Sequence, residues 1–100
     1  MSSAIAPETV IRRAENVVHA ELREEAVLLD TSSGVAYRLN PTAAWLWERL
    51  REPAEVERLA RELGEWFGLE TGRAAADAGS FANEMLRLDL IEADDTSLHR

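Results

Sequence analysis

The segment Leu28–Trp47, LLDTSSGVAYRLNPTAAWLW, contains two predicted strands and the start of a helix, separated by a TSSG loop and an Asn-Pro pair. LLD ends a strand that is apolar on both faces, and TSSG supplies a four-residue hairpin loop in which Gly34 can adopt a positive φ. Val35–Leu39 forms the next strand. Asn40 and Pro41 stop it and start a helix, because Asn is a good N-cap and Pro suits the first helical position. The segment therefore predicts a β-hairpin that runs directly into a helix.

An alternating pattern precedes this hairpin. In NVVHAEL, which starts at Asn16, the side chains of Val18, Ala20 and Leu22 share one face and His19 lies on the other. This period of two predicts a half-buried strand with the valine face toward the core and His19 toward solvent. AVLLD follows the REE turn as the central strand. The sequence thus predicts a three-stranded antiparallel meander whose first and third strands are edges.

Three helices follow the meander. The first begins at Pro41, Pro53 opens the second, Gly68 ends it, and the third runs from Thr71 to about Leu88. Strands followed by helices predict an α+β domain with the helices stacked on one face of a small sheet. One hundred residues fit one domain. We assign a flexible N-terminal arm to residues 1–15, the folded domain to 16–92 and a loose acidic tail to 93–100.

The composition excludes several classes of protein. With 46% apolar and 30% charged residues, the chain is neither a disordered tail nor a membrane protein, and no apolar run approaches the roughly 20 residues that span a bilayer. The absence of cysteine excludes disulfides, thiolate metal sites and cysteine nucleophiles. With no secretory signal either, these features fit a cytoplasmic protein.

Catalytic signals are missing from the sequence. The two histidines, His19 and His99, have no partner at metal-ligand spacing, and the sequence contains no nucleophile elbow, glycine-rich phosphate loop or HExxH motif. We therefore predict a protein that is not an enzyme, with no catalytic residue, no metal and no cofactor.

The second and third predicted helices have the spacing of a helix-turn-helix, so DNA binding is an alternative. The net charge is −8, and Arg73 and Arg87 on the candidate reading helix are balanced by Asp77 and Glu84. An acidic chain repels phosphate backbones, and a major-groove helix normally presents several basic or amide side chains. We predict that the protein does not bind nucleic acid.

The edge strand Val35–Leu39 remains as the candidate site. Proteins usually blunt such an edge with lysine, proline or a bulge, but this strand has no proline and Arg38 is its only charge. An extended peptide could add to it as a fourth strand. The alternatives are that the edge is short, is covered by residues 1–12, or pairs in a homodimer. The pattern alone leaves these readings open.

Two blocks of sequence resemble the PqqD family. They are VLLDTSSGVAYRLNPTAAWLWERL (residues 27–50) and AAADAGSFANEMLRLDLIE (residues 74–92), and the likeness runs from about residue 16 to 92. Members of this family include the pyrroloquinoline quinone biosynthesis chaperone and the stand-alone recognition elements of lasso-peptide pathways. The resemblance implies a winged-helix-like fold of three strands and three helices. It also implies a non-catalytic function, the binding of the leader segment of a ribosomally synthesised precursor peptide.

In that family the leader adds along the third strand and lies beside the third helix. Carried over to this chain, the resemblance implies that Arg38 and Arg73 meet acidic leader residues and that Asp77 meets a basic residue or a backbone N–H. For Tyr37 and Phe81 the alternative role is core packing. The implied peptide-binding residues are Val35, Ala36, Tyr37, Arg38, Leu39, Arg73, Ala74, Asp77, Ala78, Phe81 and Glu84.

The chain also departs from the family pattern. Family members often have glycine where this chain has Asp89, so the third helix is expected to end differently. Larger aliphatic residues are usual near positions 78 and 82. The alanines present here either widen the groove or are compensated by tryptophan elsewhere in the chain.

The segment LLDTSSGVAYRLNPTAA is closer to the lasso-peptide elements than to the cofactor chaperone. The expected partners are then a leader peptidase and an ATP-dependent cyclase, with the protein as a monomer or weak dimer. The alternatives are a chaperone for the pyrroloquinoline quinone precursor, which works with a radical S-adenosylmethionine enzyme, and a dimerising winged-helix module.

Overall fold

A computed structural model describes residues 5–22 and 25–94 of the chain. It has two small sheets and three helices. The elements in chain order are β1 (Val10–Arg13), β2 (Val17–Leu22), β3 (Glu25–Asp30), β4 (Val35–Leu39), α1 (Pro41–Arg49), β5 (Ala54–Glu55), α2 (Val56–Phe67), α3 (Thr71–Arg87) and β6 (Ile91–Asp94).

The main sheet is the predicted meander. Its strand order is β2-β3-β4, all antiparallel, with Leu28 paired to His19 on one side and to Tyr37 on the other. The prediction of an α+β domain, a three-stranded antiparallel sheet followed by three helices, is confirmed, and β3 is the central strand as predicted. The helices cover one face of this sheet, where Leu28 is fully buried.

The buried face of β2 is the opposite of the one we predicted. Val18 is 52% exposed, whereas Val17 packs against the core and the His19 side chain is 21% exposed. The reason lies in the register: His19 pairs with Leu28, and cross-strand partners project from the same face of a sheet. Because the strand begins with two valines, the alternating pattern gives the correct period but does not tell which valine is buried.

The hairpin between β3 and β4 closes on Asp30. The Gly34 amide donates to the Asp30 carbonyl oxygen at 2.7 Å, and Gly34 has φ 79°, as predicted for a positive φ in this loop. The Asp30 carboxylate accepts hydrogen bonds from the Asn16 side chain at 2.7 Å and from the Ser32 amide at 2.9 Å. These bonds, with the Asn16 bond the stronger influence, lower the pKa of Asp30 below its ordinary value.

This hydrogen bonding makes the stability of the hairpin depend on pH. Because the pKa of Asp30 is depressed in the folded state, its stabilising effect is complete above the unfolded value of about 3.9 and is lost as the pH falls below it. We expect Asp30→Asn to lower the free energy of unfolding more at pH 7 than at pH 3, measured by urea denaturation. An equal loss at both pH values would contradict this account.

The second sheet was not predicted. Its order is β5-β1-β6, so β1 lies between strands from the middle and the end of the chain. Ile11 is fully buried, Ala14 is buried, and its amide donates to the Leu90 carbonyl oxygen at 3.0 Å. The assignment of residues 10–14 to a flexible arm is therefore wrong. The tail prediction is also wrong for residues 93–94, which belong to β6, while residues 1–4 and 95–100 lie outside the described residues.

The helix boundaries largely follow the predicted signals. Asn40 caps α1, and its side-chain oxygen accepts a hydrogen bond from the Ala43 amide at 2.8 Å. Gly68 ends α2 with φ 68°. The second helix begins at Val56 rather than Pro53, because Ala54–Glu55 first pairs with β1. Between the helices and the sheets lies the core, whose largest fully buried side chains are Ile11, Leu28, Leu46, Trp47, Leu50, Leu59, Leu63 and Leu90.

The third helix ends in a left-handed turn at Asp89, which has φ 63°. The Asp89 amide donates to the Leu86 carbonyl oxygen at 3.0 Å, and the Leu90 amide to that of Met85 at 2.9 Å. This pair of bonds is the Schellman arrangement, in which glycine usually occupies the left-handed position. The expectation that the helix ends differently without glycine is wrong, because Asp89 adopts the conformation that glycine favours.

The left-handed conformation of Asp89 should cost stability. We expect Asp89→Gly to raise the free energy of unfolding by about 0.5–1 kcal/mol, because glycine adopts positive φ without steric strain. Urea denaturation would measure the change. Asp89→Asn is the matched control, since it removes the charge but keeps a side chain that tolerates this conformation. If Asp89→Asn stabilised the protein as much as Asp89→Gly, charge rather than backbone strain would be the cause.

Candidate functional site

The open edge of β4 presents two backbone N–H and C=O pairs. Within the described residues the main sheet has no strand beyond β4. The Gly34 amide donates to the Asp30 carbonyl oxygen, so the backbone groups of Asp30 point toward β4. The next amide along the chain, that of Thr31, donates to the Asn16 carbonyl oxygen at 2.8 Å and so points to the opposite side, toward β2. Since alternate residues of a strand direct these groups to opposite sides, Val35, Tyr37 and Leu39 pair with β3.

Ala36 and Arg38 therefore direct their N–H and C=O groups toward the open edge. Their side chains project from the outer face of the sheet and are exposed. Those of Tyr37 and Leu39 project inward, and both pack with the core. Val35 also lies on the inner face, but at the end of the strand, where it is exposed. An edge of this kind can accept an extended chain through main-chain hydrogen bonds.

A groove of about 460 Å³ lies between the end of β4, the start of α1 and one face of α3. It brings together six of the predicted residues, Arg38, Leu39, Arg73, Asp77, Phe81 and Glu84. Leu39, Phe81 and Met85 are buried and form an apolar floor. Phe81 also belongs to the core, as the alternative role considered for it requires, and its contact with a peptide stays a prediction.

Ala74 and Ala78 do not line this groove. They are 2% and 0% exposed, and Ala74 lies so close to α2 that a Cβ added at Gly64 would be 3.3 Å from its own Cβ. The prediction that Ala74 and Ala78 form a wall of this groove is therefore wrong, and Ala82, which is also fully buried, does not line the groove either. The reason is that Ala74 faces α2 and not β4, and its small side chain lets the two helices approach closely, while Ala78 is buried in the core.

The ionic side chains at the groove rim are paired within the chain. Arg38 contacts Glu25 at 3.2 Å, Arg73 contacts Asp77 at 3.2 Å, and the Arg87 Nη2 lies 2.6 Å from Glu84 Oε2. The hydrogen bonds that the Arg87 guanidinium donates to the Glu84 carboxylate raise the pKa of Arg87. Exposed ion pairs contribute little to stability, so a ligand with charged groups can exchange with these internal partners.

Several groove residues are not among those predicted from the sequence. They belong to the first turn of α1 and to two further positions of α3. Ser80 lies on the stripe that connects Asp77 and Glu84, so helical spacing could have identified it. The residues at the start of α1 could also have been identified, because this helix begins two residues after the end of β4. The missed residues are Asn40, Thr42, Ala43, Ser80 and Met85.

Neither a candidate metal site nor a membrane-spanning helix is found among the described residues. Within residues 5–22 and 25–94, no three His, Cys, Asp or Glu side chains are placed to hold one metal ion. His19 is not solvent-facing as predicted. Its Nδ1 lies 3.8 Å from Glu48 Oε2, and its buried Nε2 has no hydrogen-bond partner in the described structure. No described helix is both long and apolar enough to cross a membrane.

Three solved structures share this fold. TbiB1 in complex with the TbiA(β) leader peptide is 21% identical with a TM-score of 0.74, and the match covers 81% of this chain and 94% of that one. A lasso peptide synthetase B1 complexed with the leader peptide is 24% identical with a TM-score of 0.73, covering 82% and 96%. The PqqD truncation of Methylobacterium extorquens PqqCD, described as a stand-alone RiPP (ribosomally synthesised and post-translationally modified peptide) recognition element, is 19% identical with a TM-score of 0.74, covering 89% and 95%.

Among curated proteins, none matches this chain. The family model for PqqD, described as coenzyme PQQ synthesis protein D, matches residues 25–91. This range begins at the central strand of the main sheet, includes both the open edge and the groove, and ends at the start of β6. The family resemblance that we identified in the sequence is therefore confirmed: the chain belongs to the PqqD family.

Proposed function

We propose that the protein is a non-catalytic recognition element that binds the leader segment of a ribosomally synthesised precursor peptide. The leader adds as a fourth strand along β4 and lies in the groove beside α3. The observation that carries this proposal is the open edge of β4 directly above an apolar groove floor. In this arrangement one extended peptide can satisfy backbone groups and bury side chains together.

The edge supplies the sequence-independent part of the affinity. Ala36 and Arg38 each offer one N–H donor and one C=O acceptor, so a peptide strand can form up to four main-chain hydrogen bonds with them. Each such bond contributes about 0.5–1.5 kcal/mol net. Since this is modest against the entropy lost on ordering a flexible peptide, side-chain contacts must contribute as well.

The groove supplies those contacts and hence the choice of leader. Alternate residues of an added strand project to the same face, so every second leader side chain points toward the floor of Leu39, Phe81 and Met85. Apolar leader residues at these positions would be buried there. Arg38 and Arg73 lie at the rim, where acidic leader residues can replace Glu25 and Asp77 as their partners.

The relatives support this proposal. Two structures with the same fold hold leader peptides, and a third is described as a recognition element. Their sequence identities of 19–24% are low, so the assignment to this chain depends on its own edge and groove. We propose further that the precursor is delivered to a lasso-peptide leader peptidase and cyclase.

A second candidate function is chaperoning of the pyrroloquinoline quinone precursor for a radical S-adenosylmethionine enzyme. The description of the matching family favours it. The two functions differ in the leader that is bound, so one experiment addresses both.

The test is a fluorescence anisotropy titration of labelled leader peptides with the full chain. The peptides are those of precursor genes adjacent to this gene and a pyrroloquinoline quinone precursor leader. We expect saturable binding of one leader that changes little between 50 mM and 500 mM salt, since main-chain hydrogen bonds and apolar burial dominate it. Absence of binding to every leader by a protein shown to be folded would overturn the proposal. A mass that rises with concentration would then identify the edge as a dimer contact.

A further inference from the structure

We infer that the cleft between α1 and α2 docks a basic surface segment of the maturation enzyme that receives the leader. This inference rests on the proposed function and names the partner surface that the function requires. The cleft has a volume of about 650 Å³. Trp45 and Trp66 line it, and together with the neighbouring Phe67 they form an aromatic cluster in which Trp45 is half-buried and Trp66 and Phe67 are exposed.

The aromatic cluster is unusually exposed for its size. Trp66 is 70% exposed and Phe67 is 44% exposed. The Trp45 and Trp66 rings are stacked with centroids 6.4 Å apart, and Phe67 meets Trp45 edge-on at 5.7 Å. The three rings therefore contact one another, and Trp66 and Phe67 stay largely uncovered while Trp45 packs partly against the core. Tryptophan in such a position is enriched among the residues that dominate the energy of protein interfaces.

The charges in the cleft indicate what kind of segment fits. Arg51 pairs with Glu48 at 3.2 Å, and Arg58 pairs with Glu62 at 3.0 Å. The Arg49 guanidinium lies 4.8 Å from the centre of the Trp45 ring.

The carboxylates of Glu52 and Glu65 also line the cleft. Among the described residues neither has a cationic partner, and no cation lies over Trp66. Arg49 has no carboxylate partner either, so the lining carries four glutamates against three arginines, a net charge of −1, beside the exposed Trp66 ring. Arginine or lysine of a partner can stack on that ring and pair with these carboxylates.

A second copy of the chain is a poor occupant. The chain carries a net charge of −8, so two copies repel each other, and an acidic surface also repels nucleic acid. A protein segment that carries arginine or lysine next to apolar residues satisfies both the aromatic cluster and the free carboxylates. The partner is therefore defined by charge complementarity to this cleft.

The position of the cleft suits an element that must hold two ligands at once. The groove beside β4 and the cleft share no lining residue. Helix α1 borders both: its first turn borders the groove, and Trp45, Glu48 and Arg49 border the cleft. A leader in the groove leaves the cleft free, and an enzyme docked on the cleft lies one helix away from the bound precursor.

The test measures two affinities on the same variants. The maturation enzymes encoded beside this gene are purified, and their binding to the leader-loaded protein is followed by isothermal titration calorimetry, with leader affinity measured separately by anisotropy. We expect Trp66→Ala to weaken enzyme binding at least about tenfold and Glu52→Arg with Glu65→Arg to weaken it similarly. Leader affinity should stay within about twofold. Val18→Ala, which trims an exposed valine on the outer face of the sheet, is the matched control and should change neither.

Each contrary outcome has one meaning. If Trp66→Ala and the charge reversals leave enzyme affinity unchanged while the leader binds normally, the inference is wrong and the proposed function stands. If Trp66→Ala instead abolishes a concentration-dependent dimer of the protein, the cleft is a self-contact and the inference is also wrong. Failure of leader binding in the unmodified chain overturns the proposed function itself.

Discussion

Replacement of Ala36 by proline should lower the affinity for the leader peptide about tenfold to a hundredfold while the protein stays folded. The Ala36 amide points to the open edge of β4, so proline removes a donor that the leader needs and leaves a leader carbonyl unpaired. Its ring also obstructs the approach of an added strand. The amide makes no bond to β3, and proline is tolerated on edge strands. We therefore expect the free energy of unfolding to change by no more than about 1 kcal/mol. Anisotropy and urea denaturation measure the two quantities.

Two other substitutions define the controls for this experiment. Ala36→Val retains the amide and should bind the leader nearly as the unmodified protein does. Tyr37→Pro removes an amide that pairs with β3 and should destabilise the fold. Normal leader binding by folded Ala36→Pro would exclude docking along β4. A stable Tyr37→Pro combined with an unfolded Ala36→Pro would show that the hydrogen-bonding phase of β4 is the reverse of the one described.

The second large effect is expected from Ile11→Ala. Ile11 is fully buried in β1, between β5 and β6, and contributes to the same core as Leu28. Truncation of a buried isoleucine to alanine costs about 2–5 kcal/mol through lost burial and the cavity that remains. This is a large part of the total stability of a small domain, which is typically about 5–15 kcal/mol. Urea denaturation monitored by tryptophan fluorescence measures the loss.

The matched control for Ile11 is Val18→Ala, because it truncates another β-branched strand residue that is half exposed. We expect it to change the free energy of unfolding by no more than about 0.5 kcal/mol. Equal effects of the two substitutions would mean that Ile11 is not part of the core. A negligible effect of Ile11→Ala would support the arm that the sequence had suggested for residues 1–15.

The parts of the fold that were predicted correctly depend on local signals. The hairpin loop with Gly34, the Asn40 cap and the Gly68 stop each act within a few residues, so a short window contains the physics that determines them. The second sheet depends on pairing between Val10–Arg13 and Ile91–Asp94. A local sequence pattern cannot predict a contact between residues about 80 positions apart. A strand of four residues is also too short to show a clear alternation of apolar and polar residues.

The candidate site was predicted unevenly for related reasons. The family resemblance pointed to β4 and α3, and the structure brings Arg38, Arg73 and Asp77 to one groove. The direction in which a small side chain faces depends on which element packs closest, so Ala74 faces α2 and Ala78 is buried in the core instead of lining the groove. Ala36 and Arg38 are identified as the open-edge residues from the hydrogen bonds of the hairpin, and the sequence alone does not show which strand residues make those bonds.

The pairing of β1 with β6 places the beginning of the first strand next to the end of the last, since Val10 lies opposite Asp94. A polypeptide that continues after β6 would therefore leave the domain beside β1, on the second sheet. The open edge of β4 belongs to the main sheet, so such a continuation starts from the sheet that does not carry the open edge. The relative from Methylobacterium extorquens, which is a PqqD truncation of PqqCD, is an example of this fold taken from a longer chain.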